Sequence, residues 1–413
     1  MNTFKNFITE QKNTHMTHVE DSVIYGGADG TRQAINALRE LRDLLSGSHK
    51  GSVSVKWDGA PAIFAGIVPP GNNDAGKFFV AKKGVFNASP KYYTTNAEVD
   101  EDTSGDLAEK LKFALAYLPA LGIKGVIQGD FLYGPGDLKY ETVDGQEYLT
   151  FHPNTIVYAV PKGTAAEKEI KKSKIGIVWH TSYTGSDFQN MKASFGVDVS
   201  KLKNTPNVWS QDAMLRDLTK ATMSKKDTDE INASLSEIGK LFNQISSSIL
   251  KILGSNRELA QTIETFNNTF VRKGEVITDT KNHVDQLVKW INARYQKEID
   301  SRKTERGKTA QIEKRDMVLQ FFSPENKQNL RKIFELQKLI VLVKLKLINT
   351  LNKLQTIDTF IKTRNGFKVT GAEGYVAIDK LSGGALKIVD RMEFSYNNFS
   401  PEILKGWDKA GKN

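Results

Sequence analysis

A lysine and an aspartate stand two residues apart at the end of a β-like run, in the segment Val55-Lys56-Trp57-Asp58-Gly59. Residues two apart on a strand share a face, and a glycine permits a tight turn, so Lys56 and Asp58 are expected to point the same way before Gly59. A lysine amine attacks phosphorus only after it loses its proton, which nearby cations or a metal ion promote. The segment predicts covalent catalysis by Lys56, although an ordinary strand end fits it as well.

Three further segments place a charged side chain beside a predicted strand. The apolar run Gly125–Leu132 contains Asp130, whose carboxylate suits ribose hydroxyls or a metal ion. Glu373 precedes the run Gly374–Ile378 and offers the hard oxygen ligands that Mg²⁺ and Mn²⁺ prefer. Lys387 lies within Ala385–Val389, where a point charge can neutralise a phosphate. Each segment alone is equally typical of a solvated charge on a strand.

The order of these four segments resembles motifs I, III, IV and V of the covalent nucleotidyltransferase superfamily, which includes ATP-dependent DNA ligases, RNA ligases and capping enzymes. The stretch Glu373-Gly374-Tyr375-Val376-Ala377 is most similar to phage RNA ligases. The segment from Lys56 to Ala62 also resembles uncharacterised proteins of large tailed phages. The resemblance covers about residues 50–160 and 366–392.

This resemblance implies a mechanism in which Lys56 attacks the α-phosphorus of ATP and forms a lysyl-AMP phosphoramidate. Lys387 would hold the α-phosphate and stabilise the charge that develops there, so it is the second catalytic candidate. Asp58 and Gly59 would shape the nucleotide pocket. The implied cofactors are ATP and Mg²⁺ or Mn²⁺.

The same resemblance implies the remaining ligands of the nucleotide and the metal. Asp130 would contact the ribose, and Glu373 and Asp130 are the metal candidates. A basic residue near the ribose or phosphate and an aromatic ring on the base complete the family pattern. Lys83 matches the basic residue, and either Phe151 or Tyr158 matches the aromatic ring.

The sequence departs from the family pattern at two positions. Asp130 stands where the family has a longer glutamate, and Val389 occupies the place of a second motif V lysine. Arg391, two residues further on, is a candidate to compensate for Val389 and to bind the nucleotide. Few residues follow Lys387, so we expect no C-terminal OB domain, which favours RNA ligases over DNA ligases and capping enzymes.

Composition is ordinary for a globular protein of 413 residues, with 39% hydrophobic and 26% charged residues. The absence of cysteine excludes disulfides, thiolate zinc sites and cysteine nucleophiles. The N-terminus has no apolar core typical of a signal peptide, and the longest apolar run, Leu339–Val343, is too short to span a bilayer. We therefore expect a cytoplasmic protein that does not contact membranes.

Periodicity divides the chain into three parts and predicts an α+β protein. After a turn at Tyr25–Gly30 and a helix from about Arg32 to Leu45, strand-like runs such as Ala62–Ile67 follow, and they return with Gly366–Val369. We assign residues 1–200 and 366–413 to one nucleotidyltransferase domain of two antiparallel sheets. Residues 201–365 have helical periodicity and would form an all-α insertion between motifs III and IV, with helices predicted at Ile231–Leu253, Arg257–Phe270, Val284–Ile299 and Pro324–Ile361. This block holds 30 Lys and Arg against 19 Asp and Glu, and therefore the whole basic excess of the chain.

A block of that charge suits a nucleic acid, although a solvated helical surface would share its composition. Its densest basic run is either a linker or a clamp on the nucleic-acid backbone, and consists of Arg302, Lys303, Arg306, Lys308, Lys314 and Arg315. At the other end of the chain, His15 and His18 with Glu20 and Asp21 suggest an arm that covers the nucleotide pocket, or less simply a metal site.

The leading hypothesis is an ATP-dependent RNA ligase that joins 5′-phosphate to 3′-hydroxyl ends. The first alternative is a minimal DNA ligase acting on DNA ends. The second is a nucleic-acid-binding protein with a degenerate nucleotidyltransferase domain, for which Asp130 and Val389 are the motivating features. A nucleotidyltransferase that modifies a protein is a further alternative that no residue specifically favours.

Overall fold

Strands fill both ends of the chain in the computed structural model, which describes residues 16–48, 52–215, 223–378 and 385–408. The predicted α+β class is confirmed. The described strands are β1 (Ser52–Lys56), β2 (Ala62–Ile67), β3 (Phe78–Ala81), β4 (Val126–Tyr133), β5 (Lys139–Val143), β6 (Gln146–Phe151), β7 (Ile156–Pro161), β8 (Ile175–Thr184), β9 (Lys192–Phe195), β10 (Val208–Asp212), β11 (Asp358–Thr363), β12 (Gly366–Val369), β13 (Gly374–Ile378), β14 (Ala385–Ile388) and β15 (Ile403–Leu404).

Long helices fill the middle of the chain, and shorter ones flank the strands. The described α-helices are α1 (Ser22–Asp43), α2 (Asn96–Asp102), α3 (Gly105–Tyr117), α4 (Ala165–Lys172), α5 (Lys225–Phe242), α6 (Ser247–Ser255), α7 (Arg257–Lys273), α8 (Thr280–Asp300), α9 (Glu305–Gln320), α10 (Pro324–Leu351) and α11 (Arg391–Phe399).

The strands of the described residues form three sheets, where the sequence led us to expect two. One sheet has the order β1-β13-β14 and is wholly antiparallel. The second has the order β10-β8-β4-β2-β3, with β9 also paired to β8, and its β8–β10 pair is parallel. The third is antiparallel, with the order β12-β11-β7-β6-β5 and β15 paired to β11.

The three-stranded sheet and the helices α5 to α10 bury a common apolar core, and α1 packs into it as well. Val53 of β1 and Tyr375 of β13 lie in the same cluster as Leu235 of α5 and Ile340 of α10. The helices α5 to α10, which we call the helical block, therefore pack against the three-stranded sheet. Its helices run from Lys225 to Leu351, which is narrower than the predicted 201–365, because β10 and β11 inside that range belong to sheets.

Helix α10 shows how sequence determines the limits of the block. Ser323 accepts a hydrogen bond from the backbone N–H of Asn326, and Pro324 occupies the first turn, which together define the start. Apolar residues then recur every three or four positions, and the helix ends at Leu351. The sequence pattern suggested helix as far as Ile361. That extension was wrong, because β-branched residues alternate from Ile357 and pair as β11.

A kink at Gly27 corrects a second expectation. The glycine-rich segment before Arg32 was expected to form a turn, but α1 already begins at Ser22 and bends at Gly27, which has φ of 53°. A Cβ atom at Gly27 would lie 2.1 Å from the carbonyl oxygen of Leu250 in α6. The glycine thus permits the bend and the close approach of α6.

A helix that crosses a membrane must be both long and apolar. None of the helices in the described residues meets both requirements.

Candidate active site

Lys56, Glu373 and Lys387 meet on the three-stranded sheet, although they come from opposite ends of the sequence. The register places Lys56 opposite Gly374, directly after Glu373, and Lys387 opposite Val376. Directly opposed residues share a face, as do residues two apart on one strand. Lys56 and Lys387 therefore lie on one face, on either side of β13, and Nζ of Lys56 contacts Oε2 of Glu373.

Asp130 on β4 supplies a second carboxylate to Lys56. Burial raises the pKa of Asp130 to about 7, and the nearby charge of Lys56 opposes that shift. Burial likewise raises the pKa of Glu373 to about 7 against the attraction of Lys56. The side chains of Lys56, Asp130 and Glu373 nevertheless keep 30%, 20% and 10% of their surface exposed. We call the partly exposed space around Lys56, Asp130 and Glu373 the recess.

His180 on β8 faces this recess and was not identified from the sequence. Its Nε2 lies 3.9 Å from Oδ1 of Asp130, and its Nδ1 is 2.8 Å from Oγ1 of Thr181. Burial lowers the pKa of His180 to about 4, with a further contribution from Lys56, so the imidazole is neutral at physiological pH. The available signal was a single histidine directly after the apolar run from Ile175 to Trp179.

The Asp58 carboxylate holds a turn together. It accepts hydrogen bonds from the backbone N–H groups of Thr155 and Ile156, at 2.7 and 2.8 Å, and from the side-chain amide of Asn154 at 2.6 Å. The backbone N–H of Asp58 donates to the hydroxyl of Tyr158 at 2.7 Å. Asp58 is 4% exposed, so it shapes the recess through the β6–β7 turn and not by facing a ligand.

Gly59 is necessary because the chain after Lys56 passes close to β4. A Cβ atom at this position would lie 2.6 Å from Cβ of Asp130, which is shorter than such contacts allow. Any larger residue would displace the Asp130 carboxyl group from the recess. The Asp58-Gly59 pair therefore positions two of the predicted site residues, Lys56 and Asp130.

Phe151 and Tyr158, the two candidates for stacking on a base, lie in the core below the turn. Their rings stack on each other with centroids 5.3 Å apart, and Tyr158 also stacks on Trp57 at 4.8 Å. Phe151 is 1% exposed and Tyr158 is 4% exposed. Neither ring presents a free face in this structure, because both are occupied by aromatic neighbours.

Lys83 stands at the start of a short 3₁₀ helix, Lys83–Phe86, that follows β3. Its side chain is exposed to solvent. The preceding Lys82 forms an ion pair with Asp102 at 3.1 Å.

The N-terminal segment pairs with the strand that carries Lys387. The backbone N–H of Lys387 donates to the carbonyl of Thr17 at 3.0 Å, and the N–H of Val19 donates to the carbonyl of Lys387 at 3.1 Å. Burial and the charge of Lys56 lower the pKa of Lys387. His18 lies between the two paired residues, while His15 is outside the described residues.

Arg391, the candidate to compensate for Val389, is held by side chains of other segments. Its guanidinium donates to Oδ2 of Asp21 at 2.9 Å and to Oδ1 of Asn268 in α7. Glu20, next to Asp21, forms an ion pair at 2.7 Å with Lys344 of α10, and both side chains are at most 4% exposed. Arg391 therefore belongs to a buried ionic cluster that connects the N-terminal segment to the helical block.

Two carboxylates near Lys56 are the residues that could hold a metal ion. Among the described residues, no group of three or more His, Asp or Glu side chains is arranged to hold a metal ion, so His18, Glu20 and Asp21 do not form one. Glu373 and Asp130 are two carboxylates that approach the same lysine from different sheets. Mg²⁺ is commonly bound by one or two carboxylates together with substrate phosphates, and this pair fits that pattern.

The predicted basic run lies on the connection from α8 to α9 and along α9. Arg302, Lys303, Arg306 and Lys314 are exposed, while Lys308 and Arg315 are half-buried. Lys308 forms an ion pair with Glu305 at 2.7 Å, and Arg315 forms one with Asp316 at 2.9 Å. The run is therefore a helical hairpin surface, not a linker.

Comparison with known proteins gives one match. A family model described as a family of unknown function, DUF6267, matches residues 13–403. That range contains the three-stranded sheet, the helical block and the N-terminal segment. No curated protein and no solved structure matches the chain.

Proposed function

The chain belongs to the DUF6267 family, and from the geometry of its recess we propose that it is an ATP-dependent RNA ligase that works through a lysyl-AMP intermediate on Lys56. One observation carries the proposal. Lys56, Glu373 and Lys387, which the sequence places in the motif order of covalent nucleotidyltransferases, converge on one sheet with a carboxylate on the lysine amine.

In the first step the lone pair of Lys56 Nζ attacks the α-phosphorus of ATP. The bond from that phosphorus to the oxygen bridging the β-phosphate breaks, and pyrophosphate leaves with the electron pair. The proton lost by Nζ passes to solvent, and Glu373, which contacts Nζ, stays ionised and holds the amine in position. Lys387, on the same face, stabilises the charge on the α-phosphate.

Asp130 and Glu373 would hold the Mg²⁺ or Mn²⁺ ion, which supplies charge neutralisation for the phosphates when it is bound. His180 keeps a neutral imidazole next to Asp130 and adds no positive charge to the recess. Gly59 and Asp58 keep the recess in shape through the contacts described above.

The two remaining steps transfer AMP and close the phosphodiester. An oxygen of an RNA 5′-phosphate attacks the AMP phosphorus, the phosphorus–nitrogen bond breaks, and Lys56 recovers a proton. A 3′-hydroxyl oxygen then attacks the activated 5′-phosphorus, AMP leaves, and the hydroxyl proton passes to solvent. RNA is the proposed substrate because the basic hairpin offers a surface for a polyanion and the closest motif resemblance is to RNA ligases.

The test is to incubate the protein with ATP or GTP labelled at the α-phosphate, with Mg²⁺ or Mn²⁺, and to look for label on the denatured chain. We expect label from ATP with the native protein and with Lys139→Ala, an exposed lysine on β5, and none with Lys56→Ala. Intact mass before and after pyrophosphate treatment identifies protein that is already adenylated. An unmodified native protein that takes no label would refute the proposal.

The degenerate binding protein remains the second candidate because of two features. Val389 is buried in the place of the second motif V lysine, and Arg391 is occupied by Asp21 and Asn268. This alternative predicts nucleic-acid binding without a lysyl-nucleotide. A preference for nicked duplex DNA over RNA in a sealing assay would instead support the DNA ligase.

A further inference from the structure

Exposed aromatic side chains concentrate on α11 and on the segment that follows it. Tyr396, Phe399 and Trp407 expose 43%, 66% and 62% of their surface. In the described part of the chain only two other aromatic residues are comparably exposed, Tyr140 at 39% and Phe195 at 38%. Large apolar rings are rarely left in water in a cluster unless they bind something.

The opposite face of α11 fixes this surface next to the recess. Asn398 accepts a hydrogen bond at 3.2 Å from the hydroxyl of Thr155, the residue whose backbone N–H binds Asp58. Tyr396 and Phe399 are three residues apart and so lie together on the outer face. Because a helix is about 10 Å thick, this surface lies about one helix diameter from the turn after Lys56.

Cations accompany two of the exposed rings. Nζ of Lys368 lies 5.4 Å from the ring centroid of Tyr396, and the guanidinium of Arg272 lies 5.9 Å from that of Phe399. One carboxylate is also present, because Glu402 accepts a 3.4 Å hydrogen bond from the hydroxyl of Tyr396. Arg272 ends α7 of the helical block, so the surface adjoins the part of the chain that carries the basic excess.

We propose that Tyr396, Phe399 and Trp407, with Arg272 and Lys368, form a binding surface for single-stranded nucleic acid that leads to the Lys56 recess. Rings stack on bases of any sequence, and flanking cations bind the phosphates between them. A partner protein would suit the rings equally well but would not require the cations. Binding by this surface stands without catalysis, and only its service to an RNA end rests on the proposed function.

The experiment measures fluorescence anisotropy of a labelled twelve-nucleotide RNA, and of DNA of the same sequence, with the full chain and no ATP. We expect Phe399→Ala and Trp407→Ala each to weaken binding about tenfold, with recovery in Phe399→Tyr. Arg272→Gln should lower the dependence of affinity on salt concentration by about one contact. Phe195→Ala, a comparably exposed ring on β9, is the matched control and should bind normally.

Equal RNA affinity of the native protein, Phe399→Ala and Trp407→Ala would overturn the proposal. Sedimentation of the same variants identifies the alternative, because a change in self-association with unchanged RNA binding would make this a protein contact. Equal losses for RNA and DNA support a general single-strand surface, and a loss for RNA alone supports an RNA-specific one. A protein that binds RNA through these rings but takes no AMP would refute the ligase and leave this surface standing.

Discussion

Asp130 is a residue at which burial opposes ionisation. Its Oδ1 lies 3.9 Å from Nε2 of His180, which is too far for a hydrogen bond. Burial raises the pKa of Asp130 to about 7 from an ordinary value of 3.8. Because the folded protein binds the proton more tightly than the unfolded chain, this carboxyl stabilises the fold fully below pH 3.8. That contribution is lost as the pH rises through about 7.

We predict from this that Asp130→Asn stabilises the protein at alkaline pH in the absence of nucleotide and metal. The amide mimics the protonated acid at every pH, so the two proteins should have similar unfolding free energies at about pH 3, below the ordinary carboxyl pKa of 3.8. At pH 8 the variant should be more stable, by at most about 4 kcal/mol. Urea unfolding across this pH range in the presence of a chelator measures the difference. Parallel curves for the two proteins would contradict the raised pKa.

The turn after β1 is the element on which the recess depends. Asp58→Ala removes the acceptor of two backbone N–H groups and one amide, all of them buried or half-buried. We expect the unfolding free energy to fall by about 2–5 kcal/mol, since buried donors without a partner are costly. Denaturant unfolding is to be compared with labelling by ATP in the same variant. Lost labelling with unchanged stability would instead assign Asp58 directly to the nucleotide.

At the level of elements, the sequence predicted what local pattern determines. The strands β2, β12 and β13 match their predicted ranges because glycine, proline or polar residues bound short apolar runs. Helix α9 was missed because it buries little more than Gln311 and Val318, so its apolar periodicity is weak. Helix α11 was missed for a similar reason, since it buries Ser395 and Asn397.

The residues of the candidate site were predictable from local pattern to the same extent. Motif order identified Lys56, Glu373 and Lys387, whose meeting follows from strand pairing. The partners of Arg391 and the proximity of His180 to Asp130 depend on contacts between segments distant in the sequence, and no local pattern encodes them. The burial of Phe151 and Tyr158 depends on Trp57 and Trp209 in the same way.

At the scale of the whole molecule, a buried ion pair joins the N-terminal segment to the helical block. We predict that Lys344→Met destabilises the protein by about 3 kcal/mol, because it leaves the buried charge of Glu20 with only the more distant Arg391, at 3.6 Å, as a cationic partner. The double variant Glu20→Gln, Lys344→Met should lose less than the sum of the two single variants. A double-mutant cycle by urea unfolding measures this coupling. Additive losses would show that the pair contributes no interaction of its own.

The distribution of charge over the molecule leads to a prediction for the hairpin of α8 and α9. Combining Arg302→Gln, Lys303→Gln and Arg306→Gln should lower the slope of log affinity against log salt for single-stranded RNA by about 2. The matched control replaces three exposed lysines of another surface, Lys168, Lys172 and Lys174, by glutamine. An identical slope in the hairpin variant and the control would remove the hairpin from the binding surface.

The strand pairing in the three-stranded sheet also has a consequence during synthesis of the protein. Strand β1 pairs with β13, whose last residue is translated roughly 320 residues after Lys56. At typical rates of synthesis, Lys56 leaves the ribosome roughly 15 s to 1 min before its partner strand exists. During this interval the nascent chain carries Lys56 without Glu373 or Lys387. Under the proposed function, a chain whose synthesis stops before β13 cannot take up AMP, so the activity would arise only when translation is nearly complete.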